Sequence, residues 1–195
     1  MNITVISVCT EIKNQEAILE LSTVQHKFIL HWGEMGTRWG INRTVAQIHA
    51  LLYLSNEPVN AEEIAATLKV ARSNVSTSIK ELQSWGIIKS VHVLGDRREH
   101  YESLTDVWEM FECILDERKR REWEPTLQLL ADCMAEAKKS GKEAPHVIER
   151  LSAMQEFFTT MAGWYTQMRS LPKRTLFNFF KLGKNVQKFL GMKAG

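Results

Sequence analysis

The sequence has few of the features that mark secreted, disulfide-bonded or membrane proteins. Its three cysteines, Cys9, Cys113 and Cys133, include no close pair, so a disulfide framework is not expected and a cytoplasmic location fits. No apolar run reaches the length of a membrane span. The apolar residues 1–10 lack the positive start and the cleavage site of a signal peptide.

Signatures of catalysis are missing as well. The six histidines fall at no metal-ligand spacing with the cysteines or carboxylates, and there is no phosphate-binding glycine loop or nucleophile motif. The neighbouring Glu62 and Glu63 are better explained as negative charge at a helix start than as an acid/base pair. We therefore expect no enzyme activity, no metal and no cofactor.

What the chain does contain is enough apolar material for a core. At 195 residues and 44% hydrophobic content, it predicts one compact domain with helical extensions. The net charge is only +2, and residues 41–105 carry as many acidic as basic side chains. A nucleic-acid contact in this segment would therefore depend on where its basic residues lie rather than on their sum.

Residues 60–105 carry the most specific pattern. Asn60 and Glu63 have the spacing of a capping box, which predicts a helix start after Pro58. This helix should end near Lys69, because Val70 occupies the position of the apolar residue in the turn of a helix-turn-helix. A glycine is common where Lys69 stands.

A second helix is predicted from Arg72. Val75, Ile79 and Leu82 repeat at helical spacing and should face the core. The outward face is left with short polar and basic side chains of the kind that reach base edges and phosphates in a major groove. These candidate contacts are Arg72, Ser73, Asn74, Ser76, Thr77 and Lys80. An ordinary solvated helix face is the alternative.

A hairpin should follow this helix. Residues 87–94 are rich in β-branched side chains, Gly95-Asp96 is a turn signal, and residues 101–104 can return antiparallel. Arg97 and Arg98 then lie at the tip, where arginine suits a narrow minor groove and Asp96 can orient one guanidinium. A solubilising turn is the alternative. His100 in the wing could modulate the DNA contact with pH, although a plain surface histidine is favoured.

These motifs together resemble the MarR superfamily of transcriptional regulators. Residues 95–102 are similar to the wing of those proteins, and residues 73–76 and 85–88 to the recognition helix and its exit. Residues 39–43 and 57–59 resemble the GbsR-like branch, named after regulators of choline and glycine-betaine metabolism. The resemblance covers roughly residues 25–170.

The resemblance implies a mostly α fold with a small β-hairpin wing, in which a winged helix-turn-helix is joined to long dimerisation helices. It also implies a homodimer that binds a pseudopalindromic operator on double-stranded DNA, usually as a repressor and often under a small-molecule effector. By position, Ser73, Asn74, Ser76 and Thr77 would read the major groove. Arg98 would be the wing arginine, with Asp96 orienting it and Arg97 contacting phosphate.

The segments on either side of the winged helix have helical periodicity. Residues 15–35 predict a long amphipathic helix ended by Gly33, Gly36 and Gly40, and Pro125 predicts either a kink or a helix start near Glu124. The last helix has an apolar stripe with steps of four and three. Its members are Val147, Leu151, Met154, Phe158, Met161, Tyr165 and Met168. The stripe could pack on the chain's own long helix, but we expect a second copy as its partner.

Two further features remain open at the sequence level. Four aromatic residues could surround a quaternary ammonium effector, although packing in a core is favoured: Trp108, Trp123, Trp164 and Tyr165. Residues 171–195 contain six basic residues and no acidic one, interleaved with apolar side chains. Such a tail could lie on a membrane, follow DNA phosphates or fold back on the core, and the last is slightly favoured.

We therefore predict four segments. Residues 1–40 contribute to dimerisation, residues 41–105 bind DNA, residues 106–170 form the long C-terminal dimerisation helices, and residues 171–195 form the basic tail. The alternative function is a protein-interaction adaptor that uses the winged helix for protein contacts and the tail for a membrane.

Overall fold

The computed structural model describes residues 18–172 and residue 175. The chain divides into two compact units between Ile114 and Leu115. The predictions for Cys9 and for most of the basic tail lie outside the described residues. The predicted fold class, mostly helical with a small β-hairpin wing, is confirmed.

The first unit contains a helix-turn-helix and a small antiparallel sheet. Its helices are α1 (Thr23–Arg38), α2 (Arg43–Leu54), α3 (Ala61–Leu68) and α4 (Arg72–Ser84), and α5 (Val107–Arg118) begins in it. Its strands are β1 (Val59–Asn60), β2 (Ile88–His92) and β3 (Glu99–Ser103), in the sheet order β1-β3-β2. The two-residue strand β1, which the sequence did not predict, pairs with β3 through Val59 and Tyr101.

Helix α1 differs from its prediction at both ends. It begins at Thr23 because Ser22 caps it: the Ser22 hydroxyl accepts from the amide of Gln25 at 3.2 Å, and the Gln25 side chain accepts from the amide of Ser22 at 2.9 Å. Residues 18–22 are not helical. Gly33 and Gly36 do not end the helix but lie inside it, buried. Of the three glycines, only Gly40, with φ +78°, lies beyond the helix end.

The buried glycines let α1 approach α2 closely. A Cβ atom on Gly36 would lie 2.5 Å from the Cβ of Ala46, and one on Gly33 would lie 2.6 Å from Cγ of Gln47. Both distances are far below van der Waals contact. The absence of a side chain at these two positions is therefore a packing requirement.

Helix α2 is the centre of the hydrophobic core. Ile48 and Leu51 are almost completely buried, and Ile64, Val75 and Leu82 from α3 and α4 belong to the same cluster. Each helix of the helix-turn-helix thus contributes its apolar face to one core. The orientation of α4 follows from this packing.

The second unit contains the end of α5 and two further helices. A π-helical turn (Lys119–Trp123) leads into α6 (Glu124–Ser140), which ends at Gly141 in the left-handed conformation (φ +61°). Pro125 lies in the first turn of α6. This agrees with the predicted alternative in which Pro125 starts a helix. Helix α7 (Pro145–Ser170) packs against α6 and the π-helical turn. None of the described helices is long and apolar enough to cross a membrane.

His49 is a polar group inside the first unit. It is 5% exposed, and its Nδ1 accepts a hydrogen bond from Nε1 of Trp32 at 3.3 Å. The ring lines a cavity of about 30 Å³ with Trp32, Trp39 and Trp85. Burial lowers the pKa of His49 from 6.5 to about 4, because the charged imidazolium is poorly solvated there.

Substitution Gly36→Ala should destabilise the first unit by about 1–3 kcal/mol, because α1 and α2 must separate to admit the new methyl group. The free energy of unfolding in urea measures this. Gly163→Ala in α7 is the matched control, since a Cβ there meets nothing within 4 Å. A Gly36→Ala variant as stable as the Gly163→Ala variant would show that the helices are not in close contact.

His49 should make the protein less stable as the pH falls. The unfolded chain binds a proton near pH 6.5 and the folded one only near pH 4, so stability is fully present above 6.5 and is lost between those values. The loss is about 2–3 kcal/mol at pH 4. Urea unfolding of the wild type and of His49→Leu between pH 7 and pH 4 isolates this contribution. An identical slope in the two proteins would contradict the assignment.

Candidate nucleic-acid interface

The first helix of the helix-turn-helix is fixed by its cap. Oδ1 of Asn60 accepts from the amides of Glu62 and Glu63 at 3.1 and 3.0 Å, and the Glu63 carboxylate accepts from the amide of Asn60 at 3.1 Å. This is the predicted capping box, and the Asn60 side chain is fully buried within it. The start of α3 is therefore held by both side-chain and backbone contacts.

The turn between the two helices depends on Lys69. Its φ of +55° is the only positive value at a non-glycine residue in the described part of the chain. This conformation costs about 1–2 kcal/mol for a side-chain-bearing residue. It allows the amide of Val70 to donate to the carbonyl of Ala65 at 3.1 Å, which closes α3. The backbone geometry explains why glycine is common at this position.

Helix α4 presents the predicted polar face to solvent. Val75, Ile79 and Leu82 are buried, with exposed fractions of 3% or less. All six candidate contact residues of α4 are exposed: Arg72, Ser73, Asn74, Ser76, Thr77 and Lys80. No acidic residue lies in the first turn. The helix N-terminus therefore keeps the positive partial charge that attracts phosphate.

Two of these side chains already have partners. The Thr77 hydroxyl donates to the carbonyl of Ser73 at 3.1 Å, so it offers DNA only its lone pairs and its methyl group. Arg72 forms an ion pair with Glu62 of α3. Partial burial raises the pKa of Glu62, but the hydrogen bond and the charge of Arg72 outweigh it, and the net pKa is lowered. A phosphate must compete with this carboxylate for Arg72.

The wing has an ordered tip. The Asp96 carboxylate accepts from the amide of Arg98 at 2.9 Å and from its Nε at 3.0 Å, and it also pairs with Nη2. These hydrogen bonds from Arg98 hold the pKa of Asp96 well below its usual range. The side chain of Arg98 is still 50% exposed. Asp96 and Arg98 are thus in direct contact, and the orienting role of Asp96 stays a prediction.

His100 is not the surface histidine that the sequence favoured. It is 5% exposed, because β3 is the central strand of the sheet and His100 lies between Asn60 of β1 and Val91 of β2. Its Nδ1 lies 3.0 Å from the carbonyl oxygen of Arg98, and its Nε2 lies 3.6 Å from Oδ2 of Asp96. The ring therefore contacts both the backbone of Arg98 and the carboxylate of Asp96 in the wing. Arg97, the neighbour of Arg98, is exposed.

Other basic residues near this surface are partly neutralised. Lys89 of β2 pairs with Glu102 of β3 at 2.8 Å across the hairpin. Arg72–Glu62 and Arg98–Asp96 are pairs of the same kind. A carboxylate therefore lies beside three of the five basic residues of α4 and the hairpin, which are Arg72, Lys80, Lys89, Arg97 and Arg98. These ion pairs weaken the positive potential of the surface, but they hold the arginine side chains in defined orientations.

The predicted stripe of α7 faces partly into the second unit. Tyr165 is buried, and Val147, Leu151, Phe158, Met161 and Met168 are half-buried, whereas Met154 is 50% exposed. The Tyr165 hydroxyl donates to Asp116 at 2.6 Å, and Arg169 donates to the same carboxylate at 2.8 Å. Part of the stripe is thus covered by the chain's own helices.

The four aromatic residues of the candidate cage have different surroundings. Trp123 and Tyr165 meet edge to face in the second unit, with ring centroids 5.8 Å apart. Trp164 is 50% exposed on the same helix as Tyr165. Trp108 belongs to the first unit, where it contacts Phe111 edge to face at 6.3 Å. The contact between Trp123 and Tyr165 has the character of core packing.

Some features of the site could not be seen in the pattern. The left-handed Lys69, the Arg72–Glu62 pair and the burial of His100 all depend on contacts between elements. Among residues 18–172, no cluster of three histidine, cysteine or acidic side chains is placed to hold a metal ion.

Comparison with known proteins agrees with the winged-helix geometry. Residues 39–99 match the model of the MarR family. The HTH-type transcriptional repressor GbsR of Bacillus subtilis (strain 168) is 22% identical over 101 residues, which are 52% of this chain and 56% of that protein. The aligned region therefore spans little more than half of this curated relative.

Solved structures share the fold. The crystal structure of a transcriptional regulator covers 73% of this chain and 93% of its own, with a TM-score of 0.56 and 21% identity. A mutant of S. aureus MepR bound to oligodeoxyribonucleotide covers 73% of this chain and 99% of its own, with a TM-score of 0.36 and 13% identity. The family match and the shared fold confirm the resemblance to MarR-type regulators.

Proposed function

We propose that this chain, whose winged helix is that of the MarR family of transcription regulators, acts as a homodimer that represses transcription from a pseudopalindromic operator on double-stranded DNA. One observation carries the proposal. The exposed polar face of α4 lies in the same compact unit as a wing whose arginine is already oriented by Asp96. Repression is proposed because the related GbsR is a transcriptional repressor.

The two elements suit different grooves. Ser73, Asn74 and Ser76 are short and exposed on the first two turns of α4, where a helix that enters the major groove meets base edges. Arg98 extends from the hairpin, where an arginine suits the narrower and more negative minor groove. Residues 41–105 would thus supply all the base contacts, while Arg97 and Lys80 contact phosphates.

A second apolar face of α7 supports the homodimer. Phe157 and Trp164 are 58% and 50% exposed, and Leu171 at the helix end is 38% exposed. With the partly exposed Met154, Met161 and Met168 they form a continuous row with steps of three and four. This row, which we term the α7 seam (Met154, Phe157, Met161, Trp164, Met168, Leu171), shares Met154, Met161 and Met168 with the predicted stripe and adds the exposed residues on one side of it.

A second copy of the chain is the partner that fits the α7 seam. Heptad-spaced apolar residues pack against a helix with the same spacing, and a two-fold axis brings identical seams together. The same axis would present two copies of α4 to two half-sites of an operator. A small-molecule effector is a further hypothesis. One candidate is a quaternary ammonium held by Trp108, Trp123, Trp164 and Tyr165.

Arg98→Ala should weaken binding to the DNA upstream of the protein's own gene by about 1–3 kcal/mol, because the wing loses its groove contact. Asp96→Ala should have a smaller effect, and the double variant should bind like Arg98→Ala alone, since Asp96 acts through Arg98. Fluorescence anisotropy with random-sequence competitor measures the affinities. Lys138→Ala, which removes an exposed charge from α6, is the control. Equal affinities for Arg98→Ala and the control would contradict the role of the wing.

Trp164→Asp should raise the dimer dissociation constant about 30-fold or more, because a charge replaces a large aromatic side chain in the α7 seam. Sedimentation equilibrium measures the constant. Thr159→Asp is the matched control, because Thr159 is exposed on the opposite side of the same helix. A monomeric wild type, or an unchanged constant for Trp164→Asp, would rule out the α7 seam as the dimer interface.

A further inference from the structure

The loop at the tip of the wing carries two exposed apolar side chains as well as its arginines. The sequence predicted a strand through residue 94, but β2 ends at His92 and leaves Val93 and Leu94 in the loop. Leu94 has an exposed fraction of 104%, the highest among the exposed large apolar side chains of residues 18–172, and Val93 is 38% exposed. A leucine at full exposure contributes nothing to the core.

The loop holds Leu94 at its outermost point. The amide of Asp96 donates to the carbonyl of Val93 at 3.1 Å, which closes a four-residue turn with Leu94 and Gly95 at its corners. Gly95 has a φ of +85°, as the third residue of a type II turn requires. Proline and small polar residues are usual at turn corners. The fold therefore does not explain a leucine here.

The same loop is fixed on its other side by charge. Asp96 binds both the amide and the guanidinium of Arg98, and the neighbouring Arg97 is exposed. Leu94 thus lies on a turn that is followed directly in the chain by two arginines, Arg97 and Arg98. An apolar tip flanked by cations complements a groove whose walls are phosphates and whose floor is stacked base pairs.

We propose that Leu94 is a wedge that enters the minor groove, inserts between two base pairs and kinks the operator. This inference rests on the proposed function and assigns a further residue to it. Leucine is among the side chains that partly unstack base steps from the minor groove. Pyrimidine–purine steps open most easily, so Leu94 would add a sequence preference without any hydrogen bond to a base.

Duplex DNA fits the tip better than a membrane does. Only Val93 and Leu94 are apolar, which is far less than the apolar surface that anchors a helix or hairpin in lipid. The oriented guanidinium is more useful in a groove of defined width.

The test uses operator duplexes with 2-aminopurine placed in turn at each base step of the minor groove beside a half-site. Wild-type protein should raise the fluorescence at one step per half-site, because unstacking relieves quenching. Leu94→Ala should abolish this signal and weaken binding roughly tenfold, whereas Leu94→Met should retain both. All three proteins should have the same melting temperature, since the fully exposed Leu94 adds nothing to the core.

The outcomes separate this inference from the proposed function. If the wild type binds the operator without a fluorescence change, or if Leu94→Ala gives the wild-type signal and affinity, Leu94 is not a wedge while DNA binding stands. If the wild type binds no DNA but binds vesicles of anionic phospholipid, both the wedge and the proposed function are overturned. Loss of the preference for a pyrimidine–purine step in Leu94→Ala alone would support the wedge.

Discussion

Burial of Val75, Ile79 and Leu82 against α2 is the contact on which the rest of the winged-helix unit depends. These three side chains fix the rotation of α4, so they decide which of its residues reach solvent. The buried glycines of α1 let α1 and α2 meet closely and complete the same core. The proposed reading of bases by Ser73 and Asn74 requires a rigid core, because the reach of such short side chains leaves little tolerance for movement.

Electrostatics in this unit favours orientation over attraction. Asp96, Glu62 and Glu102 each neutralise a basic residue near the proposed DNA surface. Such pairs lower the non-specific affinity for phosphates, which depends on the number of free cations. They also hold guanidinium groups in place before binding, which reduces the entropy lost in the complex. The proposed dimer would gain selectivity from this geometry and from its two half-sites.

The winged helix is well predicted from the sequence because its signals are local. The Asn60 cap, the spacing of Val75, Ile79 and Leu82, and the Gly95-Asp96 turn each act over four to eight residues. The errors come from contacts between distant elements. Gly33 and Gly36 are predicted as helix ends, but they face Gln47 and Ala46 on another helix. His100 is expected at the surface, but β3 pairs with two strands and turns it inward. The roles of the contact residues and the role of the basic tail remain predictions.

Methylation protection by dimethyl sulfate tests the central claim most directly, because one reagent probes both grooves through N7 of guanine and N3 of adenine. We expect two symmetric sets of protected guanines about 10 base pairs apart, where two copies of α4 lie in the major groove. Protected adenines should flank each set where the wings enter the minor groove. Folded protein that protects neither atom, or that protects both uniformly along the duplex, would contradict the account.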